Sequence, residues 1–208
     1  MTDLSVRSLA APIAAMCAIV AASNVLVQVP FAHFGLGDLL TWGAFTYPLA
    51  FLATDLTNRR FGPEAARRVV YVGFALAVGL SLWLATPRIA IASGSAFLVA
   101  QLLDVGVFDR LRNGAWWRAP LVSSIIGSLV DTSLFFTLAF AALPGFPWPL
   151  NAVDGFAIEI VPLLGLAVDA LRWMSWALGD LGVKILTVSV ALLPYRLIVG
   201  RVPEPTPA

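Results

Sequence analysis

An aspartate lies in the middle of each of two apolar stretches, Phe97-Leu-Val-Ala-Gln-Leu-Leu-Asp-Val-Gly-Val-Phe108 and Ser124-Ile-Ile-Gly-Ser-Leu-Val-Asp-Thr-Ser-Leu-Phe135. Asp104 and Asp131 are each preceded, three residues earlier, by a polar residue and followed, four residues later, by a phenylalanine. A carboxylate at the middle of a membrane span costs roughly 2.5–3.5 kcal/mol on insertion scales. Two of them on adjacent helices therefore indicate a structural or functional role.

The composition is that of an all-α integral membrane protein. Of the 208 residues, 60% are hydrophobic and only 12% are charged. Apolar stretches of about 20 residues, the length that crosses a hydrocarbon core, recur along the chain. They predict six transmembrane helices in a single domain spanning residues 1–208, at Leu9–Val29, Asp38–Thr57, Val69–Thr86, Ile89–Phe108, Ala119–Leu143 and Ala177–Val199. The single cysteine, Cys17, excludes a disulfide within one chain.

The positive charges predict the orientation of these helices. Ten of the 13 Lys and Arg residues fall at alternate ends of the spans, on one side of the membrane. They are Arg7, Arg59, Arg60, Arg67, Arg68, Arg110, Arg112, Arg118, Arg196 and Arg201. Cytoplasmic loops carry such an excess, so we expect both termini on the cytoplasmic side of the membrane.

The connection between the fifth and sixth spans is long and apolar. Pro144-Gly-Phe-Pro-Trp-Pro149 must end the fifth helix, because proline cannot continue it. Val153–Trp173 is apolar but interrupted by acids and a proline, which favours an interfacial or re-entrant helix on the outer face over a seventh span. Residues 202–208 are rich in proline and are predicted to form a disordered tail.

The two aspartate-bearing helices carry the first candidate site residues. A spacing of three or four residues places polar and aromatic side chains on one face of each helix. These side chains are Phe97, Gln101 and Asp104 on one helix and Ser128, Asp131 and Phe135 on the other. A pocket of carboxylates, an amide and phenyl rings fits a flat, nitrogen-rich ligand. The alternative is that the polar groups only bond one helix to the other.

Lys184 and Asn24 are further candidates for ligand contact within the spans. Lys184 follows Asp180 by one helical turn and can form an ion pair with it, or it can neutralise Asp104 or Asp131 and touch the ligand. Asn24 in the first span can contact the ligand or bond to another helix.

Asp55 lies at the inner end of the second predicted span. The arginines that follow it along the chain predict an ion pair or gate at the cytoplasmic edge, formed with Arg59, Arg67 and Arg68.

Catalytic and cofactor motifs are weak or missing. Gly35-Leu-Gly-Asp38 has the Gly-x-Gly-Asp form of intramembrane aspartyl proteases, but Asp38 is better explained as the cap of a helix. A hydrolase using Asp104 and Asp131 stays as a remote alternative. The chain has no Walker loop, metal-ligand cluster or nucleophile–base motif, so we predict neither an enzyme nor a bound metal or cofactor.

Three groups of residues resemble one family of transporters. Tyr47-Pro-Leu-Ala-Phe-Leu-Ala-Thr-Asp-Leu-Thr-Asn-Arg-Arg-Phe-Gly62 with Ala65-Ala-Arg-Arg-Val69 resembles the inner end of the second span of the queuosine precursor transporters, also called the putative vitamin uptake transporter family. The stretches that begin at Phe97 and Leu121 resemble the family's fourth and fifth spans, and the one that begins at Gly182 resembles its closing helix.

The resemblance implies import of 7-deazaguanine precursors of the modified tRNA base queuosine, namely preQ0 and preQ1. We then expect a small-molecule ligand and membrane lipid as partners, and no nucleic acid. Whether the protein forms a homo-oligomer stays open. So does the alternative of a substrate-binding membrane subunit that works with a separate ATPase module.

Overall fold

The structure of the protein, a computed structural model, describes residues 6–200. Within that range the chain forms seven α-helices and one pair of short strands. The helices are α1 (Val6–Leu26), α2 (Gly43–Thr46), α3 (Leu49–Phe61), α4 (Pro63–Leu84), α5 (Pro87–Leu111), α6 (Arg118–Phe140) and α7 (Arg172–Val199), and the strands are β1 (Ile160–Pro162) and β2 (Asp169–Leu171). The fold is therefore predominantly helical, as expected. The predicted tail at 202–208 lies outside the described residues, as do Arg201 and the side chain of Arg7.

Five helices are long and apolar enough to cross a membrane, namely α1 from Ser8 onward, α4, α5, α6 and α7. Proline marks the start of two of these helices, α4 and α5. The first residue of a helix has no acceptor for its N–H within the helix, so proline, which lacks that hydrogen, is well suited to this position. Gly62 precedes α4 with a φ of +86°, a conformation that glycine adopts without strain.

The second predicted span, Asp38–Thr57, is not one helix. Residues 36–42 form turns and a bridge between Pro30 and Thr41, so the helical backbone starts only at α2 and Asp38 does not cap it. Pro48 then separates α2 from α3, because it has no N–H to continue the ladder of hydrogen bonds. The backbone of Tyr47 and Pro48 remains helical, so α2 and α3 form one broken segment over residues 43–61.

The short helix α3 lies at the centre of the bundle. It contacts α1, α4, α5, α6 and α7. Its close packing depends on Gly127 of α6, where an added Cβ would lie 2.6 Å from Cε1 of Phe51. The central helix is thus the one whose composition is least typical of a membrane span, because its buried face carries Thr54, Asp55 and Asn58.

The two aspartate-bearing helices, α5 and α6, pack against each other more extensively than any other pair of described elements. This confirms that the two stretches that begin at Phe97 and Ser124 are neighbours. The main apolar core joins α5 to α1, α3 and α4, and in it Phe97 and Val105 pack with Met16, Val20 and Val69.

The connection from 141 to 171 contains no α-helix, so the predicted interfacial or re-entrant helix is wrong. Strands β1 and β2 pair in antiparallel register instead, with Pro162 opposite Asp169. The turn between them places Gly165 at a φ of +77°, which breaks any helical continuation. Helix α7 starts at Arg172, five residues before the predicted Ala177, and Arg172 forms an ion pair with Glu159 in the connection.

Arginines mark the two ends of the bundle. At one end Arg59 donates to the Arg112 carbonyl oxygen across 2.7 Å, and the Arg196 guanidinium lies 5.0 Å from the centre of the Trp116 ring. At the other end Arg88 donates to the carbonyl oxygens of three residues at the end of α6 and in the following connection, Leu138, Ala141 and Ala152. The cationic ends of α3, α5 and α7 therefore meet, as the alternation of charge predicts.

Candidate functional site

A cavity of about 580 Å³ opens among α1, α2, α4, α5, α6 and α7. This volume lies within the range of about 300–1,000 Å³ that is typical of small-molecule sites. The cavity brings together four of the predicted ligand contacts, namely Asn24, Asp131, Phe135 and Lys184. It also includes residues that were not predicted as contacts, among them Tyr47, Ser81, Ser93, Trp176 and Asp180.

Lys184 joins α7 to α6 through a buried network of charges. Its ammonium nitrogen lies 2.7 Å from Asp131 Oδ2, 2.5 Å from Asp180 Oδ2 and 3.1 Å from Thr132 Oγ1. The Thr132 hydroxyl in turn donates to Asp180 Oδ2 across 2.9 Å. Lys184 therefore pairs with both aspartates and not with Asp104.

This network carries more negative than positive charge. Two carboxylates share one ammonium group, whose three hydrogens are all used by Asp131, Asp180 and Thr132. The Lys184 and Asp131 side chains are each only 5% exposed. A site of this kind attracts a ligand with N–H donors or a cationic group, because such a ligand reduces the remaining negative charge.

Aromatic rings form one wall of the cavity. The ring of Phe140 meets that of Trp176 edge-on at 5.4 Å, and Phe156 from the outer connection lies 6.1 Å from Trp176. Phe135 packs at right angles against Phe136 at 5.1 Å. Flat apolar faces of this kind suit stacking on a planar ring.

The opposite wall is a row of small polar side chains. Ser81 Oγ donates to Asn24 Oδ1 across 3.0 Å and lies 3.1 Å from Ser93 Oγ. The Asn24 amide donates to the carbonyl oxygen of Val20 in its own helix. Asn24 thus bonds to α4 through Ser81 and also lines the cavity, so both of its expected roles are compatible with its position.

The other four predicted ligand contacts do not line this cavity. Phe97 and Ser128 are buried, and Phe97 belongs to the apolar core. Gln101 accepts a hydrogen bond from Thr54 across 2.7 Å in the interface between α3 and α5. Asp104 lies one turn further along α5 and is 0% exposed. The near-repeat in the sequence therefore places its two aspartates in different environments.

Asp55 does not form the predicted ion pair at the cytoplasmic edge. Its carboxylate accepts hydrogen bonds from Ser123 and Ser124 of α6, at 3.4 and 3.2 Å, and it lies close to the Asp104 carboxyl in the interface between α3 and α5. The reason is that Asp55 sits on the buried face of α3, where it is 2% exposed.

The arginines proposed as its partners point elsewhere. Arg59 donates to the Tyr195 hydroxyl across 3.0 Å, and Arg67 forms an ion pair with Glu64. Arg68 is exposed. Among the ion pairs of the described side chains, none includes Asp55.

Two features of the site were missed by sequence reasoning. Tyr47 lies beneath Lys184, whose ammonium nitrogen is 5.7 Å from the centre of its ring, and Thr132 completes the charge network. The position of Thr132 beside Asp131 was a usable signal. The position of Tyr47 depends on the break at Pro48, which no periodicity in the sequence reveals.

Comparisons with known proteins agree on one family. The model of the family described as putative vitamin uptake transporter matches residues 41–86 and 80–199. The queuosine precursor transporter of Escherichia coli (strain K12) is 36% identical over 199 residues, which cover 85% of this chain and 79% of the relative. No solved structure matches the chain.

Two further relatives are named probable queuosine precursor transporters. The protein of Haemophilus influenzae (strain ATCC 51907 / DSM 11121 / KW20 / Rd) is 41% identical over 155 residues, which cover 59% of this chain and 65% of the relative. The protein of Bacillus subtilis (strain 168) is 28% identical over 174 residues, 69% of this chain and 75% of the relative. With its five membrane-spanning candidates and these matches, the chain is a multi-pass membrane protein that belongs to the putative vitamin uptake transporter family, whose members are transporters and not enzymes.

Proposed function

We propose that this protein imports 7-deazaguanine precursors of queuosine, preQ0 and preQ1, across the bacterial inner membrane for tRNA modification. The cavity with its negatively charged network and aromatic wall is the observation that carries the proposal. The names of the relatives support the choice of substrate, since one is named a queuosine precursor transporter and two are named probable queuosine precursor transporters.

The chemistry of the cavity complements such a base. A carboxylate accepts two parallel N–H bonds from an amine-bearing edge, and Asp131 and Asp180 both border the cavity. Phe135 and Trp176 offer ring faces for stacking. The aminomethyl cation of preQ1 complements the negative charge that Lys184 leaves unbalanced. Direct ligand contact is assigned to Asn24, Asp131, Phe135 and Lys184.

The four remaining predicted contacts have a different role in this proposal. They lie on α5 and α6 but are buried and do not line the cavity, so no direct contact with the ligand is assigned to Phe97, Gln101, Asp104 and Ser128. Phe97 supports the site from behind, because its ring packs edge-on against Tyr47 at 6.0 Å.

The proposed topology has six crossings with both termini in the cytoplasm. The broken segment α2–α3 supplies the second crossing, because its 19 residues from Gly43 to Phe61 span about 28 Å at 1.5 Å per residue. Three observations support this arrangement. The cationic ends of α3, α5 and α7 meet, and Arg88 lies at the opposite end of the bundle. The third is that the polar side chains of α3, namely Thr54, Asp55 and Asn58, are buried and face protein rather than lipid.

A cell assay tests the function directly. In a bacterial strain that cannot make the precursors and lacks its own importer, the protein should restore queuosine in tRNA when preQ0 or preQ1 is supplied. We expect Asp131→Asn to lower uptake at least about tenfold at equal expression, because the lost hydrogen bonds to a charged group are worth about 1.5–3 kcal/mol. Asp169→Asn is the matched control, since that carboxylate is exposed on β2.

Two results would contradict the proposal. One is no queuosine in the tRNA of cells that express the wild-type protein in the membrane. The other is full uptake by Asp131→Asn, which would show that the substrate does not pass through the cavity.

A further inference from the structure

A second polar site lies in the middle of the bundle, apart from the cavity. It consists of two carboxyl groups on different helices, Asp55 on α3 and Asp104 on α5, together with two hydroxyls of α6. Asp55 is 2% exposed and Asp104 is 0% exposed. Thr54 and Asn58, which lie before and after Asp55 on α3, each form a hydrogen bond to α5, so the two carboxyls come close together. Among the ion pairs of the described side chains, none includes either carboxyl.

The hydrogen-bond donors around these carboxyls are too few. Ser123 and Ser124 each have one hydroxyl hydrogen, and both donate to Asp55. Both oxygens of Asp104 are left without a donor. Gln101 Nε2, one turn earlier on α5, is unpaired as well, so it does not supply the missing bond. A buried carboxylate with no donor is costly, so something that donates hydrogen is missing from the site.

The charged and titratable groups of the surrounding helices do not fill this gap. On α3, Arg59 directs its guanidinium to the Tyr195 hydroxyl and the Arg112 carbonyl oxygen. On α7, Lys184 has all three hydrogens engaged by Asp131, Asp180 and Thr132. The Tyr195 hydroxyl accepts from Arg59, and none of the hydrogen bonds between described side chains joins it to either carboxyl. On α6, the side chains that face Asp55 are the two serines. Of the side chains that the structure describes, none brings a positive charge to this site, so it carries two negative charges unless a carboxyl is protonated.

The space available decides which ligand fits. A void of about 10 Å³ lies beside Asp55, bordered by Ser124, Leu192 and Tyr195. That is about the minimum volume for one water molecule and far too small for a nucleobase. A proton needs no cavity. One proton placed between the two carboxyls gives Asp104 a hydrogen bond and removes one of the two buried charges, as in other carboxylate pairs that cannot both ionise.

We propose that Asp55 and Asp104 hold one proton between them, and that this proton is carried inward with each substrate molecule. The second clause rests on the proposed function. The broken segment α2–α3 connects the two sites, because Tyr47 in it lines the substrate cavity and Asp55 lies eight residues, or about 12 Å, further along the same helical segment. The proton enters from the outer side, bridges the carboxyls as O–H···O⁻, and leaves to the cytoplasm without any covalent step.

Infrared spectroscopy of the purified full-length protein in lipid tests the shared proton independently of transport. The wild-type protein at neutral pH should show the carbonyl stretch of a protonated carboxylic acid, shifted on exchange into D₂O after prolonged incubation. Asp55→Asn and Asp104→Asn should each remove this band. Asp169→Asn, which changes an exposed carboxylate, should leave it unchanged. A wild-type protein without the band, or a band that survives in both variants, would overturn the shared proton.

Proteoliposomes test the coupling. With the wild-type protein, addition of preQ1 outside should acidify a pH-sensitive dye trapped inside, and an inward proton gradient should raise accumulation at least tenfold over that without a gradient. Asp104→Asn should lose this accumulation and the acidification while still exchanging labelled for unlabelled substrate. Because asparagine has the same shape as aspartate, the variant should fold. If it does not, the acidification and accumulation measured with the wild-type protein still test the coupling.

The outcomes separate the two proposals. Wild-type exchange without acidification, or accumulation that follows a sodium gradient and not a proton gradient, would overturn proton coupling but leave the transport function intact. No exchange by the wild-type protein would overturn the transport function, and the infrared band would still decide whether the proton is shared.

Discussion

Lys184 of α7 donates to Asp131 of α6 across 2.7 Å, and both side chains are almost completely buried. Asp180 lies on the other side of the same ammonium group at 2.5 Å. This contact fixes α7 against α6 and leaves the base of the cavity with one unbalanced negative charge. We therefore expect stability and ligand preference to depend on the same three residues.

Loss of the lysine should destabilise the protein strongly. In Lys184→Met the carboxylates of Asp131 and Asp180 remain buried without their cation, and breaking a buried pair in this way costs about 3–5 kcal/mol. Thermal unfolding in detergent should show a large fall in midpoint temperature. The control is Arg67→Met, which breaks the exposed pair with Glu64 and should change stability by less than about 1 kcal/mol. Equal stability of the two variants would contradict the structural role of the network.

The charge of the network should set the preference between ligands. Asp131→Asn removes the unbalanced negative charge, so we expect a larger loss of binding for preQ1, which carries an aminomethyl cation, than for the nitrile-bearing preQ0. The measurement is the ratio of the two dissociation constants in wild-type protein and in the variant. A ratio that does not change would show that the cation of preQ1 binds elsewhere.

The aromatic wall should contribute to affinity through stacking. Trp176→Ala removes the ring that contacts Phe140 and Phe156. Loss of a ring that stacks on a base typically costs about 1–3 kcal/mol, so the dissociation constant should become about five to 150 times larger. Trp83→Ala is the matched control, because that ring is 81% exposed and lies outside the cavity. Titration of the two variants with preQ0 checks this prediction, and equal affinities would contradict it.

The close contact between α3 and α6 should tolerate no added methyl group. In Gly127→Ala the new Cβ would lie 2.6 Å from the Phe51 ring, so the helices must move apart. We expect a loss of about 1–3 kcal/mol. In Gly106→Ala, also within a helix, the Cβ meets nothing within 4 Å, and this change should be neutral or stabilising by up to about 1 kcal/mol. Partial recovery in the double variant Gly127→Ala/Phe51→Leu would confirm the cause.

Arg88 should hold the outer connection against the bundle. Its guanidinium donates to the Leu138 carbonyl oxygen across 2.8 Å and also to those of Ala141 and Ala152. Arg88→Met removes all of these bonds, so hydrogen exchange in residues 141–152 should become faster. The exposed Arg68→Met is the control and should leave exchange there unchanged. Unchanged exchange in Arg88→Met would show that the connection is held by other contacts, such as the ion pair of Arg172 with Glu159.

The class of protein, the position of most helices and the family all follow from the amino-acid sequence. A long apolar stretch bounded by arginines has few alternatives to a transmembrane helix, because a backbone in lipid must satisfy its own hydrogen bonds. The burial of Asp131 and Lys184 followed for the same reason, since their helices have no room for a solvated charge.

The tertiary structure alone decided which of these side chains meet. Helical periodicity shows that Asp104 and Gln101 share a face, but not that α3 covers that face and brings Asp55 to it. Pro48 and the hairpin of β1 and β2 interrupt segments whose composition suggested continuous helices. Contacts between helices depend on rotation and depth as well as on residue type, so Asp131 came to line the cavity while Asp104 was left beside a second carboxyl with no donor of its own.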